Sequence, residues 1–325
     1  MTRPPPLPCT RCCSAIEADD LRCPVCFEVI DDAGDQAQIK NTIELLRCAG
    51  CGAAMEYQVS KQAAHCAFCG GSQKLEHAAN PLEQAELFLP FQVDLIGARD
   101  AYRQWVSRQG WFRPFDLGSK ATVESLQPMW WPGWVTDAQA WITWTADSDA
   151  GALNADWAPH AGDLHTEFAQ LIIPATRGLS SAECAYLLPS YALQTATPFP
   201  AIAKNVPVVQ ERFDISRSQA RSRIIAAIQR LAEQRVQKNQ IPGKRIRNFH
   251  SSIQLRGLVT RRFAFPAYIL AYRYRNRVYR TVISGQNPMQ IIGQTPRSLL
   301  KVGLMVVLAV LMMGGIVGML LRILR

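Results

Sequence analysis

Four Cys-x-x-Cys pairs, Cys9/Cys12, Cys23/Cys26, Cys48/Cys51 and Cys66/Cys69, occupy the first seventy residues and limit what this end of the chain can become. The spacing lets two thiolates on one tight turn reach a single ion, and two such turns complete a tetrahedral site. Ten residues separate the first two pairs and fourteen the last two, the loop length of a small zinc ribbon. Core-filling cysteines would not repeat one interval four times. Disulfides would call for a secretory signal, and Met1-Thr-Arg-Pro-Pro-Pro-Leu-Pro8 has no apolar stretch, so reduced cytoplasmic thiols are expected. The expectation is two zinc ions, one held by Cys9, Cys12, Cys23 and Cys26, the other by Cys48, Cys51, Cys66 and Cys69. Iron in a tetrathiolate site is the chemical rival. Cys13, beside Cys12, is read as a spare thiol or a substitute ligand. Four thiolates close the shell and leave no place for an activated water, so the sites are structural. Modules this small cannot bury a core, and the metal supplies their folding free energy, on the order of 10 kcal/mol.

At the other end, Val302 to Leu321 carries no charge. Twenty helical residues at about 1.5 Å each span one bilayer core, so a single transmembrane helix is expected over 302–321. Arg273, Arg275, Arg277, Arg280, Arg297 and Lys301 precede it, and the positive-inside rule puts that flank in the cytoplasm. This gives a single-pass protein of the cytoplasmic (inner) membrane with its N-terminal bulk in the cytoplasm. Gly314 and Gly318 form a small-x-x-x-small pair suited to a homodimer.

The net charge of +9 hides a division. Residues 204–325 carry 22 Lys and Arg against Glu211, Asp214 and Glu233, a net of +19, which leaves −10 for residues 1–203. A basic half next to a membrane is expected to meet anionic lipid. Nucleic acid competes as a partner, with Arg245, Arg247, Arg261 and Arg262 as phosphate contacts. The ribbons themselves sit on the acidic half, which favours a protein partner for them.

Between Asn80-Pro81 and the apolar segment, two stretches resemble each other. Phe91-Gln-Val-Asp-Leu-Ile-Gly-Ala98 and Phe213-Asp-Ile-Ser-Arg-Ser-Gln-Ala220 each open a helical pattern, and Trp131-Pro-Gly-Trp-Val135 parallels Phe265-Pro-Ala-Tyr-Ile269. Residues 216–238 place Ala220, Ile224, Ile228 and Leu231 on one stripe, with Ile225, Ala232 and Val236 beside it. Strands over 267–274 and 278–283 turn at Arg275-Asn276, with Tyr268, Leu270, Tyr272 and Tyr274 on one face. The fold class read from these patterns is α+β: zinc ribbons at 1–30 and 43–78, a duplicated helix-plus-antiparallel-hairpin region at 86–200 and 205–296, and the transmembrane helix. Trp130, Trp131, Trp134, Trp141, Trp144 and Trp157 are read as core and strand packing, and His160 and His165 as surface loop. No Gly-x-Ser-x-Gly, phosphate-cradling loop or His-Glu-x-x-His occurs, so no enzyme is expected.

Phe265-Pro-Ala-Tyr-Ile-Leu-Ala-Tyr-Arg-Tyr274, Tyr279 to Gln286 and Gly293-Gln-Thr-Pro-Arg-Ser298, with Leu89-Pro-Phe91 and Trp131-Pro-Gly-Trp134, resemble bacterial membrane-anchored zinc-ribbon proteins whose ribbon is labelled transcription-factor-like or helicase-like. The resemblance implies an adaptor or scaffold in membrane maintenance, working beside flotillin-type or phage-shock-type partners, and it transfers only the eight cysteines as functional residues. The alternative function is a membrane-tethered nucleic-acid-binding regulator.

Overall fold

The computed structural model describes residues 7–16, 22–23, 25–26, 28, 30, 42–50, 53–56, 66, 71–79, 84–108, 110–150, 157–200, 208–213, 217–298, 301, 303, 305 and 312–313. The N-terminal part holds two small sheets: a hairpin of β1 (Leu7–Pro8) and β2 (Ala15–Ile16), then β3 (Thr42–Cys48), β4 (Ala54–Glu56) and β5 (Gln73–Ala79) in antiparallel order β4-β3-β5.

The rest is one seven-stranded sheet. Its elements are β6 (Leu87–Phe88), α1 (Leu95–Ser107), α2 (Leu117–Lys120), β7 (Thr122–Ser148), β8 (Ala158–Pro174), α3 (Ser181–Leu187), β9 (Val209–Gln210), α4 (Arg217–Asn239), β10 (Ile246–Tyr274), β11 (Arg277–Ser284) and β12 (Ile291–Gly293). Strands make up 45% of the described residues, so the expected α+β class is corrected to a mostly β fold. The source of the misreading is β7 and β10, of 27 and 29 residues, which pair with each other antiparallel from end to end. Their central prolines look like strand ends. In fact Pro132 and Pro266 fall where each long strand changes its outer neighbour: β7 passes from β9 to β8, and β10 from β6 to β11. Ala175 N–H donates to Pro132 O at 3.0 Å and Gly285 N–H to Pro266 O at 2.9 Å. A residue's N and O point to the same side of a strand, so each proline nitrogen faces outward and the β7–β10 ladder loses no donor.

The order β6-α1-β7-β8 recurs as β9-α4-β10-β11, and the two halves meet around Trp131 and Phe265, which pair across the strands with rings stacked at 4.4 Å. Equivalent contacts recur on either side. Phe91 meets Tyr268 edge-on at 5.2 Å, and Phe213 meets Trp134 edge-on at 5.1 Å. Leu89 N–H donates to Ala264 O and Glu211 N–H to Trp130 O, both at 3.0 Å. The halves are interlocked, because each helix covers strands of the opposite half. Ala98, Tyr102 and Val106 of α1 share a core with Leu270, Tyr272 and Ile283 of β10 and β11. Ala220, Ile224, Ile228, Ala232 and Val236 of α4 share one with Trp134, Ile142 and Phe168 of β7 and β8. The expected repeats are thus halves of one sheet. The buried α4 stripe advances by four residues at each step and leaves Leu231, expected inside, 36% exposed.

The β10–β11 turn lies at Arg275-Asn276, both at positive φ (46° and 62°), as a two-residue hairpin of the primed type requires. Tyr268, Leu270, Tyr272 and Tyr274 are buried. So are Trp130, Trp131, Trp134 and Trp144, whereas Trp141 lies on the open sheet face against the His165 ring at 4.7 Å.

The transmembrane expectation is also corrected. Of 302–321 only residues 303, 305, 312 and 313 are described, and among the described residues no helix is long and apolar enough to cross a membrane. An uncharged run has the length, but crossing requires a continuous helix that satisfies every backbone group. The single-pass anchor, the inner-membrane placement and the cytoplasmic orientation derived from them are withdrawn. The presumed basic flank is engaged elsewhere. Lys301 is 8% exposed, donates to Trp111 O and Arg113 O at 2.9 Å, and lies 3.4 Å from the Phe115 ring centre. Arg273, Arg275 and Arg280 pair with Glu124, Asp116 and Glu183.

Candidate metal centre

Cys9, Cys12, Cys23 and Cys26 come together, with one sulfur from each lying within 4.8 Å of all the others. Cys9 Sγ is 3.6 Å from Cys26 Sγ, and Cys12 Sγ is 3.5 Å from Cys23 Sγ. A tetrahedron of four sulfurs at ~2.3 Å from zinc has edges of ~3.8 Å, so the cluster fits one such ion closely. The backbone explains the gathering. Cys9 N–H donates to Ser14 O and Cys23 N–H to Glu28 O, each at 2.8 Å, closing a turn that carries both cysteines of its pair. Cys13, at φ 57°, points away and is exposed, while Cys9, Cys12 and Cys23 are buried. The spare-thiol reading of Cys13 therefore describes its position.

The electrostatics of the cluster are uneven. Burial opposes ionisation of Cys9, but N–H groups of Cys12 and Arg11 and the neighbouring thiols outweigh it and hold this thiol at about 7. Burial pushes Cys23 up to about 12 and raises Cys26 as well. Without a cation the cluster can carry little negative charge, and a divalent ion supplies the compensation that four thiolates need.

In the second module Cys48 and Cys66 are described and buried, and Cys51 and Cys69 lie outside the described residues. The two first cysteines repeat the same turn. Cys48 N–H donates to Ala53 O at 3.0 Å and Cys66 N–H to Gly71 O at 2.8 Å. Gly50 N–H also points at Cys48 Sγ, 3.3 Å away, the kind of donor that supports a metal-bound thiolate.

Sequence reasoning did not foresee where these modules sit. The first is bonded to the long sheet: Gly257 N–H donates to Cys12 O at 3.0 Å and Leu258 N–H to Ser14 Oγ at 3.1 Å. Gly257, at φ 59°, lies in a break of the β7–β10 register between Arg256 and Val259, a bulge that turns two N–H groups out of the ladder. The only hint in the sequence is a glycine inside a strand pattern. The second module meets the sheet through Arg212 N–H, which donates to Ala54 O at 3.0 Å, and Cys48, Ala53 and Cys66 belong to the central hydrophobic cluster with Trp131 and Phe265.

The other candidate residues are otherwise occupied. His160 Nε2 is 2.9 Å from Ser148 Oγ, and neither it nor His165 joins a metal-binding group among the described residues. The four arginines marked for phosphate each have a carboxylate: Arg245 with Asp149, Arg247 with Asp147, Arg261 with Asp137, and the largely buried Arg262 with Glu86. No family model matches this chain, and neither a curated protein nor a solved structure matches it.

Proposed function

We propose that this chain is a non-catalytic adaptor in which each tetracysteine module holds one structural zinc ion and the two modules, fixed along the sheet, form the surface that a protein partner recognises. The observation that carries the reading is the first cluster: four sulfurs close a coordination shell, and the turn bearing Cys12 is bonded to the β10 bulge. A closed shell has no position for substrate or water, so the metal's work is to hold a shape. The neutralised arginines favour protein over nucleic acid, since phosphate binding would have to displace carboxylates already in place.

The test is comparative affinity capture with the full chain and its Cys23→Ser/Cys26→Ser variant, each identified by mass spectrometry. The adaptor reading predicts proteins captured by the full chain and lost from the variant. Identical sets would reject it.

A further inference from the structure

The internal symmetry fails along the flank of α4, and a cleft stands there. Aligning the sequence at Phe91 with that at Phe213 matches Ala98, Tyr102 and Val106 of α1 with Ala220, Ile224 and Ile228 of α4, and all six are buried. In the same match Trp105, packed half-buried on the α1 core, corresponds to Ala227, and the buried Ala101 corresponds to the exposed Arg223. The large ring that closes the flank of α1 has no counterpart on α4. Instead a cleft of about 650 Å³ lies between α4 and α3, with Ile173, Leu179, Leu188 and Ala227 among its apolar walls.

We propose that this cleft receives an aromatic side chain from an acidic segment of the protein partner; the proposal rests on the adaptor reading and names a contact that the zinc modules do not supply. The volume lies within the range of small-ligand sites, and the missing group is a tryptophan by comparison with α1. The rim sets the charge of the segment. Arg223 and Arg230 line the cleft, and neither makes an ion pair among the described residues; Arg230 Nε donates to Ala226 O of its own helix at 3.2 Å. The nearby carboxylates are already engaged: Glu211 accepts from Thr176 Oγ1, Arg177 N–H and Gly178 N–H, and Glu183 accepts from Ser180 and Arg280. Two guanidinium groups without an ion pair among the described residues, beside an apolar slot, select an aromatic anchor flanked by Asp or Glu.

The experiment selects a phage-displayed library of random dodecapeptides on the immobilised full chain. Enriched peptides should share an aromatic residue next to Asp or Glu. Ala227→Trp, which installs the α1 residue, should weaken a selected peptide by at least about tenfold, and Arg223→Glu/Arg230→Glu should do the same. Melting temperature and metal content of Ala227→Trp should equal those of the parent; if that variant fails to fold, the arginine pair decides. Absence of enrichment, a consensus without the aromatic-acidic pairing, or undiminished binding by the variants overturns the proposal. Partner capture separates the two readings: loss in the cysteine variant with retention in Ala227→Trp removes the cleft alone, and retention in both removes the adaptor.

Discussion

At the scale of single residues, a few positions hold the architecture through backbone conformations that side chains disfavour. Gly257 is one, because its positive φ presents the N–H that Cys12 O accepts. Gly257→Ala has room for its methyl group but not an easy backbone, and should cost about 1–2 kcal/mol in denaturant unfolding. Gly243 is more constrained: at φ 95° a Cβ would collide with Asp149 Oδ1. That oxygen accepts from Lys244 N–H at 2.7 Å and Arg245 N–H at 3.1 Å, and the Arg245 guanidinium meets the other at 3.1 Å. The Arg245 and Lys244 N–H groups, with the guanidinium behind them, hold the Asp149 carboxyl at about 2, below its ordinary 3.8. A lowered carboxyl stabilises the fold above its unfolded value and loses that contribution as pH falls through the folded one. Wild type should therefore melt above Asp149→Asn at neutral pH, and the gap should close between pH 3.8 and about 2. A constant gap would mean that the charge contributes nothing. The sequence exposes the cysteine pairs because their spacing is local chemistry. It hides Ser14 Oγ and the Gly257 bulge, which acquire meaning only when strands far apart in the chain meet.

At the scale of elements, the decisive ones are β7 and β10. Pro132, Gly133 and Pro266 read locally as breaks, so the sequence yields short hairpins where the chain builds strands of 27 and 29 residues. The β10–β11 turn was legible, since Arg275-Asn276 is bounded by alternating aromatics, whereas the full-length pairing is non-local and leaves no periodic trace. The junction of the halves depends on Trp131. It stacks on Phe265, and its Nε1–H donates to Tyr191 Oη at 3.1 Å, which donates on to Pro266 O at 3.0 Å. Trp131→Ala removes the ring and the N–H that the buried Tyr191 hydroxyl accepts, and should cost about 3–5 kcal/mol in urea unfolding. A loss below 1 kcal/mol would show that the junction is not where the halves are held.

At the scale of the molecule, interlocking makes the two halves one cooperative unit with the cysteine modules bonded to its flank. Residues 84–200 alone lack α4, which covers β7 and β8, so this fragment should remain unfolded by circular dichroism and should fold when mixed with 208–298. Independent folding of either piece would contradict the shared cores. The central claim is that both cysteine modules are structural metal sites, and elemental analysis with X-ray absorption on the purified chain tests it most directly. The account predicts two zinc ions per chain, each bound by four sulfurs at ~2.3 Å, falling to one in Cys23→Ser/Cys26→Ser. Iron, a single ion in the parent chain, or nitrogen and oxygen in the coordination shell would contradict it.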